Sequence, residues 1–108
     1  MADIEDTLTQ RQQTHGYFPD VAKTSQLIRS SMEMSEGWEL LNTTQVEALT
    51  VIAQKIARIL NGDPNYIDNW HDIAGYATLV ESSLLTTEGA TNSKVVKQRV
   101  INGTMKDE

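Results

Sequence analysis

At 108 residues, 39% hydrophobic and 22% charged, the chain has the size and composition of one compact domain rather than two. Nine Lys+Arg against fifteen Asp+Glu leave a formal net charge of -6, which disfavours a nucleic-acid partner because such binding depends on many phosphate-neutralising cations. The absence of Cys excludes disulfides, thiolate zinc sites and cysteine nucleophiles. No apolar run approaches the roughly 18 to 20 residues of a membrane span, so the expectation is a cytoplasmic protein with no membrane partner.

In residues 1–16 only Ile4 and Leu8 are apolar, at i,i+4, so a helix there presents a thin stripe and must dock to persist. The aromatic pair Tyr17-Phe18 follows Gly16, and Pro19 suits the first turn of a helix over about 20–34, with Val21, Leu27, Ile28 and Met32 on its inner side. Gly37 is a plausible stop, and Trp38, Leu40 and Leu41 read as a short apolar plug.

The third element is the clearest. Thr44-Gln45-Val46-Glu47 has capping-box form, and Val46, Leu49, Ile52, Ala53, Ile56, Ile59 and Leu60 recur at helical spacing up to Asn61-Gly62. Asp63 as N-cap and Pro64 at the first position would open a further helix to Leu85, and the short turn favours antiparallel packing of the two. With Trp70 as the zero of a wheel, Ile67, Ile73, Ala74, Ala77, Val80 and Leu84 fall within about 80° of it. Tyr76 and Leu79 project elsewhere, towards another helix or another subunit.

Thr86-Thr87-Glu88-Gly89-Ala90-Thr91-Asn92 reads as a turn-rich linker. The basic stretch with Lys94, Lys97 and Arg99 among Val95, Val96, Val100 and Ile101 suits a brief helix or an edge strand equally, ahead of a loose tail from Gly103. The expected organisation is a single helical domain over 1–90 with a basic extension over 91–108. The expected fold is all-α, a small bundle built on an antiparallel helix pair (about 45–60 and 65–85) with a crossing helix (about 20–34).

The string Lys55-Ile56-Ala57-Arg58-Ile59-Leu60, a short turn, and Asp68-Asn69-Trp70-His71-Asp72-Ile73-Ala74-Gly75-Tyr76 resembles a small phage and prophage family of unknown function. Arg11 and His15-Gly16-Tyr17-Phe18 are similar to that family's upstream Arg and turn, so the likeness spans about residues 11 to 85. The resemblance implies a helical phage-encoded protein, more distantly similar to the MazG-like all-α nucleoside triphosphate pyrophosphohydrolases. Those enzymes typically hold magnesium with Glu-x-x-Glu and Glu-x-x-Asp; here the corresponding pairs are Glu33-x-x-Glu36, abutting Gly37, and Asp68-x-x-x-Asp72.

Read from the residues alone, Asp68 and Asp72 share one side of a helix with Cβ atoms about 5 to 6 Å apart. Two like charges so placed need a metal, a Lys or Arg, or solvent, and hard oxygen ligands suit Mg2+. Lys55 and Arg58, on the preceding helix, could bind ligand phosphates or neutralise the pair in a structural charge network. His71 reads as a ligand-binding group or a half-exposed structural histidine, and His15 as a dipole contact at a helix end. Gly75 inside a helix costs about 1 kcal/mol against Ala, for which close helix approach is the simplest reason and ligand access the next. Trp38 and Trp70 read as core anchors. Glu81, near the centre of the Trp70 arc, pairs with Arg29 or Arg58, marks where that arc opens to solvent or, last in order, serves as a catalytic carboxylate.

No phosphate loop, dinucleotide fingerprint, nucleophile elbow or His-Glu-x-x-His helix is present. The leading expectation is a phage accessory protein that binds a nucleotide or phosphorylated small molecule. Lys55, Arg58 and His71 would hold the ligand, and Asp68, Asp72, Glu33 and Glu36 magnesium; pyrophosphohydrolysis is the reaction to test if it is an enzyme. The competing expectation is a non-catalytic interaction protein that binds a host or phage protein and oligomerises through Tyr76 and Leu79, a dimer being favoured.

Overall fold

The computed structural model describes residues 3–91, and among them there is no strand. Four α-helices, α1 (Ile4–His15), α2 (Phe18–Glu33), α3 (Thr43–Asn61) and α4 (Ile67–Thr91), are joined by short turns and one 3-10 helix, Glu36–Leu40. The expected all-α fold is therefore found. The basic extension and its alternative helix or strand lie outside the described residues.

The chain forms two compact units, with the division inside α4 between Tyr76 and Ala77. In the first, α2 packs most extensively on α3, and α1 docks on both. Val21 of α2 and Ala48, Ala53 and Ala57 of α3 are its buried apolar residues. Ala53 and Ala57 stand one turn apart on the same side of α3, where small side chains let another helix approach closely. The Asn61 amide then ties the end of α3 to α2, donating to Thr24 Oγ1 at 3.0 Å and to the Ala57 carbonyl at 2.8 Å.

The opening of α4 packs closely on α3. Lys55 Nζ lies 3.0 Å from Asp72 Oδ2. Lys55 precedes the α3–α4 turn by about as many residues as Asp72 follows it, and only an antiparallel pairing brings two such residues together. In the second unit the described chain is the rest of α4, Ala77–Thr91, where Leu79 is exposed and Val80 and Leu84 are half-buried.

Several local expectations are corrected. The capping box of α3 is formed by Asn42 and Gln45, each side chain bonded to the other's backbone N–H at 2.9 and 2.8 Å, so the helix starts ahead of the Thr44 cap read from sequence. Asp63 accepts instead from the N–H of Asn65 at 2.9 Å. That bond closes an Asx turn, and α4 begins at Ile67 rather than directly after Pro64. At its far end α4 runs through the expected linker to Thr91, where no Pro interrupts it and weak local preference gives way.

The inner side of α4 is also rotated from the Trp70 arc. Asn69 is 1% exposed, whereas Trp70 is 53% exposed with its indole N–H donating to the Pro64 carbonyl at 2.8 Å. Trp70 caps the turn instead of anchoring the core, and Ile67 beside it is exposed too. Tyr76, expected off the buried arc, is half-buried. Leu40, assigned to an apolar plug, is 86% exposed. Nothing in the described chain lies within 4 Å of where a Cβ on Gly75 would stand, so close helix approach is not its reason here. Glu81 is exposed, and Arg29 pairs with Glu33 at 2.9 Å.

Candidate functional site

Two glycines bring the helix ends together. Gly16 closes α1 at φ 92°, a conformation that favours glycine, and a Cβ there would collide with the Asn61 carbonyl oxygen. A Cβ on Gly62 would stand 2.5 Å from the backbone of His15 and Thr14. With no side chain at either position, the α1–α2 turn lies directly on the α3–α4 turn, and the Asp63 N–H donates to the Thr14 carbonyl at 2.9 Å.

This contact places His15 against Tyr66, ring edge to face with centroids 5.4 Å apart at 86°. A cavity of about 400 Å³ opens beside it, lined by Arg11, His15, Tyr17, Phe18 and Arg58 among others. A second, of about 240 Å³, is lined by Thr7, Gln10, Arg11, Thr14, His15 and Tyr66. Arg11 and His15 belong to both. They stand one turn apart on α1, while Arg58 comes from α3 one turn beyond Lys55.

The charges here are unbalanced. Lys55 is matched by Asp72, and the Tyr66 hydroxyl donates to Asp68 Oδ2 at 3.0 Å, which holds the phenol above its ordinary range. Arg11 and Arg58 make no ion pair among the described residues. Burial, and then the nearby Arg11, press Arg58 below the usual guanidinium value, while Asp72 pulls the other way. The His15 ring is pressed below 6.5 by burial first and then by Arg58, Arg11 and Lys55, against an opposite pull from Asp68. Its Nδ1 is buried without a hydrogen-bond partner.

The family model of a domain of unknown function, DUF6378, matches residues 2–83. The chain belongs to that family. No curated protein and no solved structure matches it.

Within this DUF6378 domain the sequence candidates divide. Arg58 lines one cavity with His15, whereas Lys55 lines neither and is paired with Asp72. Asp68 and Asp72 lie on the adjoining turns of α4, each already engaged by a neighbour. Glu33 pairs with Arg29 near the end of α2, and Glu36 is exposed in the 3-10 helix. Among the described residues no three acidic or imidazole groups gather closely enough to hold a metal ion. His71 is exposed and lines neither cavity.

Arg11, His15, Tyr17, Phe18 and Tyr66 carry no binding role in the reading from sequence. The available signal is the i,i+4 spacing of Arg11 and His15, which puts a cation and a titratable ring on one side of α1.

Proposed function

We propose that the chain is a phage or prophage accessory protein that binds a nucleotide or related phosphorylated small molecule at Arg11 and Arg58, beside His15. The observation that carries this reading is the pair of guanidiniums lining one cavity without a carboxylate partner among the described residues, in a chain of net charge -6. Guanidinium forks match phosphate oxygens bidentately, and a bound anion would relieve the mutual repulsion of the two. Tyr17 and Phe18, both exposed at the rim, offer flat apolar surface to a base. The distant resemblance to the MazG-like enzymes read from the sequence would imply this class of ligand.

Magnesium has a smaller place in this reading than in the one from sequence. The donor set does not fit a protein-held ion, because Asp72 is paired with Lys55, Asp68 with Tyr66, and Glu33 with Arg29. A divalent ion would arrive with the ligand's phosphates, which commonly supply most of its protein-side anchoring. The proposal is therefore one of binding, with no hydrolytic step.

Thermal unfolding with inorganic phosphate, pyrophosphate and a nucleotide panel, each with and without magnesium, tests it. A ligand at 100 times its Kd stabilises by about 2.7 kcal/mol. No shift with any phosphorylated ligand at millimolar concentration would favour the second reading, a non-catalytic interaction protein. That reading is supported by exposed Leu79, Ile67, Leu40 and Met34.

A further inference from the structure

We propose that His15 completes an anion site with Arg11 and Arg58, and that a phosphate dianion seated there draws a proton from solvent onto the His15 ring. The inference rests on the phosphate-binding reading above and adds to it a coupling between ligand and proton. No bond to the ligand forms or breaks.

The geometry singles out His15 among the residues around the two cavities. It lines both, as Arg11 does, so an anion held by Arg11 on either side lies next to the imidazole. Its Nδ1 is buried without a hydrogen-bond partner, which leaves Nε2 as the ring nitrogen the proposal assigns to the anion.

The groups that act on the ring come from α1, α3, the α3–α4 turn and α4, while α2, packed on α1, brings the apolar Phe18 and Val21 to the same cavity. Arg11 belongs to α1, Lys55 and Arg58 to α3, Tyr66 to the turn against its edge, and Asp68 to the first turn of α4. Three of these are cations, one is an anion, and the phenol is neutral and committed to Asp68. In the free protein burial, and then Arg58, Arg11 and Lys55, press the imidazole below 6.5. A dianion between Arg11 and Arg58 cancels the effect of both guanidiniums at once and leaves burial opposed by the ligand and by Asp68. The balance then favours the imidazolium, which adds a third charged donor to the anion.

The coupling has a regulatory consequence. Affinity for a dianion rises as pH falls through the neutral range, so binding reports on proton activity as well as on ligand concentration.

Sulfate is a suitable probe, since it keeps its double charge across the whole range and contributes no titration of its own; inorganic phosphate serves as a second. The two histidines are followed by NMR in the full chain between about pH 5 and 8, at constant ionic strength, with and without saturating sulfate. The His15 midpoint is expected to move up by about one pH unit or more when sulfate is bound, with exposed His71 as internal reference. Sulfate affinity should weaken from pH 6 towards 8, by up to about tenfold per unit, and His15→Gln should flatten that dependence. A His15 midpoint unmoved by bound sulfate overturns the coupling and leaves a two-arginine anion site. Absence of sulfate and phosphate binding at every pH overturns both that site and the coupling. The wild-type titration decides the matter even if His15→Gln fails to fold.

Discussion

The backbone N–H of Asp63 donates to the carbonyl of Thr14 at 2.9 Å, joining the turn after α3 to the last turn of α1. The bond is possible only because Gly16 and Gly62 let the two backbones meet. Gly16→Ala combines an unfavourable φ of 92° with a collision at Asn61, and Gly62→Ala collides with Thr14 and His15. Each is expected to lower unfolding stability by about 2 kcal/mol or more in urea titrations. A loss below about 0.5 kcal/mol in both would mean that the turns do not meet as described.

Gly75 provides the opposite case. It lies inside α4 and an added Cβ meets nothing, so Gly75→Ala should stabilise the chain by up to about 1 kcal/mol through helix propensity alone. Measured loss of stability would show that this face of the helix is covered in solution.

Acid titration should reveal two steps in stability, both downward as pH falls. For His15 the folded-state pKa lies below the ordinary 6.5. The unfolded chain takes up a proton first, and stability falls from about pH 6.5 until the folded ring also titrates. For Asp72, the Lys55 ammonium bonded to it, more than compensating for partial desolvation, holds the carboxyl below 3.8. Its contribution is complete above that value and is lost as pH falls through the lower folded pKa. Urea midpoints between pH 8 and 3 check both. His15→Gln should erase the upper step, and Asp72→Asn the lower one while also reducing stability at pH 7, because Lys55, only 14% exposed in its side chain, loses its partner. Increased stability of Asp72→Asn would instead show that repulsion between Asp68 and Asp72 outweighs the attraction of Lys55.

The limited apolar core bears on association. Among the described residues three of the four buried apolar ones are alanines, while Phe18, Met34, Leu40, Ile67 and Leu79 are each more than 60% exposed. A chain this short with so much apolar surface left open should bury more of it against a second copy. Light scattering is expected to give twice the 12.1 kDa chain mass at micromolar concentration. A monomer mass would contradict this.

The sequence carried the architecture better than the site. The apolar spacing of α3 and the Gly62 stop locate that helix directly, because a long amphipathic stripe leaves little choice of period. The side that α4 buries is not legible from an apolar arc centred on Trp70. Hydrophobicity ranks Trp70 above Asn69, yet the turn at Pro64 engages the indole and the helix buries the amide one position earlier. Lys55 and Arg58 could be found as a pair on one helix. Arg11 and His15 could not be joined to them, since that requires knowing that two glycine turns far apart in sequence lie in contact.

Arg11 and Arg58 are proposed to hold the phosphate of a nucleotide. Isothermal titration of the wild-type chain, Arg11→Gln and Arg58→Gln with a nucleoside monophosphate at pH 6.5 tests it most directly. Saturable binding to the wild type at one ligand per chain is expected, weakened about tenfold or more by either substitution, with both variants still folded. Saturable binding unchanged by both substitutions, or no binding at millimolar ligand, would contradict it.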